Sequence, residues 1–239
     1  MRIGGLDIGT SGFRAQAIKR ENNEVVSPAI TTRHPVPGAN VIDHVNFAMD
    51  AGPDICNRLI IDTINKLLPL LQINLECVTK MAVCGNPFQL SLFQNIEIRD
   101  LAYAGKNRLE ELKIIPPKRD GEIVQASDLG LANMKNASVV IPPAVSHEIG
   151  ADAIAMMLMT DALKQDEPCM VIDYGTNAEM ALIVDGEVYT GSAAAGPALV
   201  GQQIEMGMLA APGTLSEVNA TENGWESWVL DSEYLPVKG

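Results

Sequence analysis

Two short segments with the same pattern carry the residues most suited to chemistry in this chain. Residues 6–11 read Leu-Asp-Ile-Gly-Thr-Ser, and residues 172–177 read Ile-Asp-Tyr-Gly-Thr-Asn. Each segment follows one apolar run with strand character and precedes another, which predicts a strand, a tight turn and a second strand. The glycine would let the backbone turn and approach a ligand closely, and the hydroxyls and turn amides would face an anion. The repetition indicates two similar halves that hold a nucleoside triphosphate and its Mg²⁺ from both sides.

The two turns yield candidate site residues with distinct roles. Asp7 and Asp173 would hold Mg²⁺ through its water shell, because Mg²⁺ prefers oxygen ligands and keeps much of its hydration. The alternative is that each aspartate caps its own turn, which needs no ligand. Glu179 either orients an attacking water or is a polar residue on a strand face, and it joins Asp7 and Asp173 as a catalytic candidate. The predicted phosphate contacts are Gly9, Thr10, Ser11, Gly175, Thr176 and Asn177.

Further blocks follow the first turn in a fixed order. They are residues 84–87 (CGNP), 140–143 (VIPP), 149–152 (IGAD), 173–179 (DYGTNAE), 194–198 (AAGPA) and 207–213 (GMLAAPG). With these blocks, the chain resembles the acetate kinase, sugar kinase, Hsp70 and actin superfamily, in the branch of ATP-dependent reductive activators of corrinoid enzymes. Within that branch, it is most similar to the archaeal family called methanogenesis marker protein 14. The resemblance covers roughly residues 3–218.

The resemblance implies an α/β fold of the ribonuclease H-like, actin-like ATPase type, with one complete lobe and the start of a second. We expect the first lobe at residues 1–167, with an insertion near residues 95–125, and an incomplete second lobe at residues 168–239. The resemblance also implies ATP and Mg²⁺ as cofactors. It places Gly196 on a backbone surface near the nucleotide, although a tight loop explains that glycine equally well.

One motif of the resembled family has no counterpart in this sequence. The glycine-rich turn that holds adenosine in that family does not occur after Gly213. The chain is therefore expected to be either a fragment of a longer protein or a truncated relative with impaired nucleotide binding.

The charge of the chain limits its partners. The net charge of −13 argues against nucleic acid and against anionic membrane surfaces, because both are themselves negative. The sequence has no apolar run of about 18 residues, the length that a membrane-spanning helix needs. Residues 1–5 already read as a strand and leave no room for a signal peptide, so we expect a cytoplasmic protein.

The cysteines predict a chain without its own redox cluster. Cys56, Cys77, Cys84 and Cys169 form no Cys-x-x-Cys pair, and no ferredoxin-like spacing occurs. Three of them lie within or beside apolar runs, which is typical of buried, reduced thiols in a cytosolic protein. We expect no Fe–S cluster on this chain, although the resembled activators carry one on an added segment.

Apolar periodicity predicts alternating strands and helices, with the same three-strand order at the start of each half. Pro69 should bend or end the helix that contains it. The expected strands are residues 2–8, 13–20, 25–32, 78–84, 139–141, 170–173, 179–184 and 187–190. The expected helices are residues 55–72, 86–93, 151–163 and 198–208.

Three functions remain open at this point. The first is an ATP-dependent activator or reactivase that assists the reduction of a metal cofactor on a corrinoid or methanogenesis-related partner enzyme. The second is a small-molecule kinase that uses the same cleft, with an aspartate as general base. The third is an assembly subunit that keeps the fold without catalysis. A homodimer is left open as an arrangement.

Overall fold

The computed structural model describes residues 2–103, 106–144, 149–196, 205, 207–208 and 210–239. Within these residues, the chain forms three separate sheets and six α-helices. None of these helices is long and apolar enough to cross a membrane.

The largest sheet has six strands in the order β3-β2-β1-β4-β6-β5. Strands β1, β4 and β6 are parallel, whereas β2, β3 and β5 run antiparallel to their neighbours. The parallel strands end at the same edge of the sheet, which is where ligands collect in α/β folds. The strands are β1 (Arg2–Gly9), β2 (Gly12–Lys19), β3 (Val25–Ile30), β4 (Val78–Gly85), β5 (Glu122–Gln125) and β6 (Ser138–Ile141).

Helices cover one face of this sheet. Alternate residues of the strands point to that face, so Leu6, Ile8 and Phe13 are buried in the main core with Ile60 and Phe93 from the helices. The Asn40 side chain accepts a hydrogen bond from the Asp43 N–H and thereby caps the first helix. The helices are α1 (Val41–Ala51), α2 (Pro53–Leu67), α3 (Pro87–Gln94), α4 (Arg99–Ala102), α5 (Lys106–Glu111) and α6 (Ala151–Met159).

A buried ion pair fixes the segment between α3 and β5. Arg119 donates two hydrogen bonds to the Asp100 carboxylate, at 2.7 and 2.9 Å, and further ones to Ser91 Oγ and the Glu97 carbonyl oxygen. The two charged side chains are 13% and 4% exposed. This part of the predicted insertion is therefore held against α3 by charge-assisted hydrogen bonds.

The second half repeats the beginning of the first. Strands β7 (Cys169–Tyr174), β8 (Asn177–Val184) and β9 (Glu187–Ala194) form an antiparallel sheet in chain order, as β1, β2 and β3 do. A small second core packs α6 against this sheet through Met157, Ala181 and Ile183, and Ala162 of the following turn adds to it. Strands β10 (Leu215–Thr221), β11 (Gly224–Leu230) and β12 (Pro236–Lys238) form a third, separate sheet.

The strands and helices expected before residue 195 all exist, with shifted ends. The helix expected at residues 55–72 ends at Leu67 and continues as a 3₁₀ turn over Leu68–Leu71, because Pro69 cannot donate to the α-helical ladder. Among the described residues before position 195, α1, β5 and the short helices α4 and α5 were not expected, and strands β10 to β12 after it were not expected either. Most of the helix expected at residues 198–208 lies outside the described residues. The division of the chain near residue 167 stays a prediction.

Candidate functional site

The first predicted turn joins β1 to β2 as a two-residue hairpin. Thr10 and Ser11 form its tip, between the paired residues Gly9 and Gly12. A Cβ atom on Gly9 would lie 3.0 Å from the Gly12 carbonyl oxygen, which is closer than side chains normally come to backbone, so the tight turn favours glycine there. Asp7 lies two residues before the turn, directly opposite Arg14, whose guanidinium donates a 3.1 Å hydrogen bond to the carboxylate.

The second turn joins β7 to β8 and has a different charge pattern. The Gly175 N–H donates to the Asn177 carbonyl oxygen at 2.7 Å, which closes the turn around Thr176. Asp173 lies opposite Glu179, where Asp7 in the first copy lies opposite Arg14. Like charges directly opposite each other destabilise a sheet. The second copy therefore holds two carboxylates that a bound cation would stabilise.

The two turns meet across one cleft. The hydroxyl groups of Ser11 and Thr176 are 2.8 Å apart and hydrogen-bonded, although the residues belong to different sheets. Residues of both turns line a cavity of about 290 Å³ beside this contact. That volume is near the lower end of small-molecule sites, about 300–1,000 Å³, so it suits a phosphate chain and a cation better than a whole nucleotide.

A third segment, at the end of β4, supports the first turn. Asn86 accepts a hydrogen bond from the Gln89 N–H through its side-chain oxygen and caps α3, while its amide nitrogen donates to Thr10 Oγ1 at 3.2 Å. Gly150 packs against the same segment so closely that a Cβ atom would lie 2.7 Å from the Gly85 carbonyl oxygen. This contact fixes the start of α6, whose first turn carries Asp152 into the wall of the cleft.

Four carboxylates face this cleft, and three of them have raised pKa values. Burial raises the pKa of Asp7, the hydrogen bond and charge of Arg14 oppose that rise, and the charge of Asp173 adds to it. Burial also raises the pKa of Asp152, with a further contribution from the Asp7 and Asp173 charges. The pKa of Glu179 is raised by burial and by the charges of Asp152 and Asp173. The cleft thus has excess negative charge, which favours a cationic ligand.

Cys84 lies beside Asp7 on the neighbouring strand β4. Its thiol donates to the Asp7 carboxylate, with 3.9 Å between Sγ and Oδ1. Burial raises the pKa of the thiol to about 12, and the charges of Asp7 and Asp152 contribute. The thiolate that would react or bind metal is therefore strongly disfavoured at neutral pH.

The donor set fits Mg²⁺ and phosphate oxygens. Within the described residues, no group of three or more His, Cys, Asp or Glu side chains is close enough to hold a metal ion directly. The carboxylates can instead accept hydrogen bonds from the waters of a hydrated Mg²⁺, which keeps several waters in most protein sites. The turn hydroxyls and amides supply donors for phosphate oxygens at the same cleft.

Nine of the ten predicted site residues line this cavity, namely Asp7, Gly9, Thr10, Ser11, Asp173, Gly175, Thr176, Asn177 and Glu179. The tenth, Gly196, does not line it but lies against the second turn, since a Cβ atom there would be 3.1 Å from the Gly175 carbonyl oxygen. Its positive φ of 35° also favours glycine. The roles of these residues stay predictions.

Among the four carboxylates that face the cleft, Asp152 is the one that the prediction missed. It belongs to the block Ile-Gly-Ala-Asp at residues 149–152, which contributed to the resemblance without a chemical role. An acidic residue in the first turn of a helix is common and is stabilised by the helix dipole, so its presence alone did not indicate a ligand. Its position opposite the two turns depends on the long-range contact of Gly150.

Comparisons with known proteins identify the family. Residues 4–165, well over half of the chain, match the family model described as the RACo middle region. The chain belongs to the RACo family. Residues 167–236 match the C-terminal domain of RACo, described as the ASKHA domain.

Named relatives agree with this assignment. The Co(II) methylated amine-specific corrinoid protein reductase of Methanosarcina barkeri is 51% identical over 98% of this chain and 45% of its own length. The corrinoid activation enzyme RamQ of Eubacterium limosum is 26% identical over 78% of this chain and 31% of its own length. The RACo-family chain therefore spans less than half the length of the curated relatives that it matches. These relatives do not support the narrower resemblance to methanogenesis marker protein 14.

A solved structure confirms the predicted α/β, actin-like fold. The reductive activator for corrinoid, iron-sulfur protein superposes with a TM-score of 0.71 at 26% identity, over 98% of this chain and 38% of the other. The wider superfamily prediction is confirmed together with the fold, because the matched C-terminal domain is an ASKHA domain.

Proposed function

We propose that this RACo-family protein binds MgATP between its two Asp-x-Gly-Thr turns, hydrolyses it slowly and couples this cycle to the reductive activation of a corrinoid protein. The observation that carries the proposal is the 2.8 Å hydrogen bond between Ser11 and Thr176, which brings the two turns to one cleft. The names of the relatives, a corrinoid protein reductase and a corrinoid activation enzyme, support the choice of partner.

Different residues of the cleft would bind the phosphate groups and the hydrated Mg²⁺. Thr10, Ser11 and Thr176 would donate to phosphate oxygens, while Asp7 and Asp173 would accept hydrogen bonds from the water shell of Mg²⁺. When bound, Mg²⁺ would neutralise negative charge on the phosphate oxygens. In the hydrolysis, a water oxygen bonds to the terminal phosphorus while the bond to the bridging oxygen breaks, which gives ADP, phosphate and a proton.

Glu179 would position the attacking water. It is half-buried, and its pKa is raised, so it is a better proton acceptor than a fully solvated carboxylate. Nucleotide that touches both turns binds the closed arrangement better than an open one, and this difference is what would couple binding to a conformational change. Electrons for the corrinoid would come from outside this chain, in agreement with the expectation that its cysteines hold no Fe–S cluster.

Calorimetric titration with MgATP, followed by a phosphate-release assay, tests this function on the full-length protein. Asp7→Ala and Asp173→Ala should each lower Mg²⁺-dependent hydrolysis by about 10² or more while the fold is kept, because preorganised charge in an active site typically contributes that much. Thr10→Ala should have a smaller effect, since the neighbouring turn amides remain.

Two results would redirect the assignment. If the protein does not bind MgATP, or both aspartate variants hydrolyse it at the parental rate, the assembly-subunit function replaces this one. If the terminal phosphate appears on a small-molecule hydroxyl instead of in solution, the protein is a kinase.

A further inference from the structure

A second and larger cavity adjoins the phosphate cleft. Its volume is about 520 Å³, and Asn86, Asn177 and Glu179 line both cavities. We call it the apolar groove, because Val41, Ile42, Val45, Phe88 and Leu101 form much of its wall. Its contacts come from both halves of the protein: α1, α3 and α4 on one side, and β8 and β9 on the other.

The charges along the groove are one-sided. Glu179, at the end shared with the phosphate cleft, is the sole charged residue among the described residues that line the groove, and none of them is basic. The adjoining cleft contains Asp7, Asp152 and Asp173 as well. Among the described residues that line this cleft, Arg14 is the one cation, and it is 68% exposed and already paired with Asp7 at 3.1 Å. The site therefore has little positive charge of its own for the phosphoryl group during hydrolysis.

We propose that the apolar groove admits a basic side chain, arginine or lysine, from the partner protein. The aliphatic stem of this side chain packs along Val41, Val45 and Phe88, and its charged end reaches Glu179 and the phosphate cleft beyond it. Long basic side chains commonly bury their stems against apolar surface in this way while the charge remains in a polar region. The inference rests on the proposed MgATP hydrolysis.

Charge complementarity selects this occupant over others. An acidic group would add a fifth negative charge beside Asp152, Asp173 and Glu179, whose mutual repulsion already contributes to the raised pKa of Glu179. A purely apolar group would exclude water from Glu179 without supplying a cation. A basic side chain matches both features, because its aliphatic stem packs on the apolar wall and its guanidinium or ammonium group faces the charged end. Basic residues supplied in trans by a partner accelerate phosphoryl transfer in other nucleotide hydrolases by about 10³–10⁵.

Such an insertion would tie hydrolysis to docking. The groove wall includes Phe88 next to the first sheet and Ser192 on β9, so one inserted side chain contacts both halves at once. MgATP at the two turns favours the same closed arrangement. Partner and nucleotide would each bind better in the presence of the other, since coupling between two sites is reciprocal. Without the partner, hydrolysis would stay slow.

The first test uses n-butylguanidinium as a free probe of the groove. Added at millimolar concentration to the full-length protein with saturating MgATP, it should raise phosphate release roughly threefold or more, a modest fraction of the effect of a tethered arginine. The matched neutral probe, n-butanol, should have no effect. Calorimetry in the same buffer reports MgATP binding, which keeps failure of the probe distinct from failure of nucleotide binding.

The second test places a cation in the groove from its own rim. Ile42 is 70% exposed on α1, so the fold tolerates a polar residue there. Ile42→Arg should raise the basal rate several-fold and make the protein insensitive to the probe. Leu70→Arg is the control, because Leu70 is 60% exposed and does not line the groove.

Each outcome decides the inference. A rise with n-butylguanidinium and with Ile42→Arg, but not with their controls, supports it. Equal effects of n-butanol and n-butylguanidinium, or of Leu70→Arg and Ile42→Arg, overturn it and leave an ordinary apolar cavity. Phosphorylation of an added alcohol overturns it in favour of an acceptor site. If calorimetry detects no MgATP binding, the proposed function fails and this inference fails with it.

Discussion

Removing one of the paired carboxylates on β7 and β8 should change stability and activity in opposite directions. Asp173 and Glu179 lie directly opposite each other, and Asp152 adds a third negative charge nearby. In the absence of a cation, replacing Asp173 by asparagine should stabilise the protein, because it removes a repulsion and keeps the shape of the side chain. The same change should lower MgATP hydrolysis by about 10² or more, because it removes the proposed contact to the hydrated Mg²⁺.

The expected gain in stability is small but measurable. Cross-strand charge pairs contribute about 0.2–1 kcal/mol, and the exposure of Asp173 favours the lower half of that range, about 0.2–0.5 kcal/mol. For a protein of this size, about 2–4 °C of melting temperature correspond to 1 kcal/mol, so the gain should be about 0.4–2 °C. The loss in hydrolysis should be about 10² or more.

Thermal unfolding in EDTA and at low ionic strength measures the first effect, and phosphate release with MgATP measures the second. Asp185→Asn is the matched control, since Asp185 lies in the exposed β8–β9 turn at φ 50°, a conformation that asparagine also adopts, and it does not line the cleft. It should change neither quantity. MgCl₂ should raise the melting temperature of the parent more than that of Asp173→Asn.

Either the stability measurement or the hydrolysis assay can contradict this prediction. If Asp173→Asn lowers the melting temperature in EDTA by several degrees, the carboxylate caps its turn and the repulsion is unimportant. If the variant hydrolyses MgATP at the parental rate, Asp173 has no role in cation binding.

Three further predictions follow from other contacts. Acidification from pH 7 to pH 5 should lower the free energy of unfolding by about 2 kcal/mol through His34, because burial and the nearby His44 lower its pKa from 6.5 to about 4. Below pH 6.5, only the unfolded chain gains the proton. Urea unfolding should show a weaker pH dependence for His34→Asn than for the parent, and an equal pH dependence would contradict this prediction. Asp100→Asn should cost about 3–5 kcal/mol in urea unfolding, because Arg119 would stay buried without its partner; a loss below about 1 kcal/mol would mean that water replaces the carboxylate. Thr176→Val should weaken MgATP binding by up to about tenfold in calorimetry, which corresponds to the loss of one hydrogen bond, whereas Thr176→Ser should keep the affinity. Equal affinities of the two variants would exclude a role for the hydroxyl.

The two turns could be predicted from the sequence because their chemistry is local. An Asp-x-Gly-Thr segment between two apolar runs determines its own strand, turn and ligand-facing groups within six residues, and the repetition indicated that both serve one site. The ends of the helices were less predictable. Pro69 correctly predicted the end of α2. Helix α1, which follows the breakers Pro37 and Gly38, was not predicted, although Asn40 is a typical capping residue.

The electrostatics of the site could not be predicted from the sequence, because they depend on contacts between distant segments. Asp152 reaches the cleft since Gly150 packs on the end of β4, and no spacing in the sequence indicates that contact. The stacking of His34 on His44, with ring centroids 4.2 Å apart, likewise joins a loop to a helix. Strands β10 to β12 form a sheet of their own, so the repeat that predicted β7 to β9 gave no pattern for them.

The repeat is symmetric in backbone and asymmetric in charge, and this asymmetry bears on how the protein could work. The first copy neutralises Asp7 with its own Arg14, whereas the second opposes Asp173 with Glu179. Asp7 therefore has a cationic cross-strand partner before any ligand binds, whereas the cross-strand partner of Asp173 is another carboxylate. Under the proposed function, a cation that arrives with the nucleotide would relieve the repulsion in the second turn while the phosphate groups of the nucleotide bind the first turn. This relief of repulsion would occur only when both turns contact the ligand. It would therefore add to the difference in ligand affinity between the closed and open arrangements. That difference sets how far ligand binding can shift a conformational equilibrium.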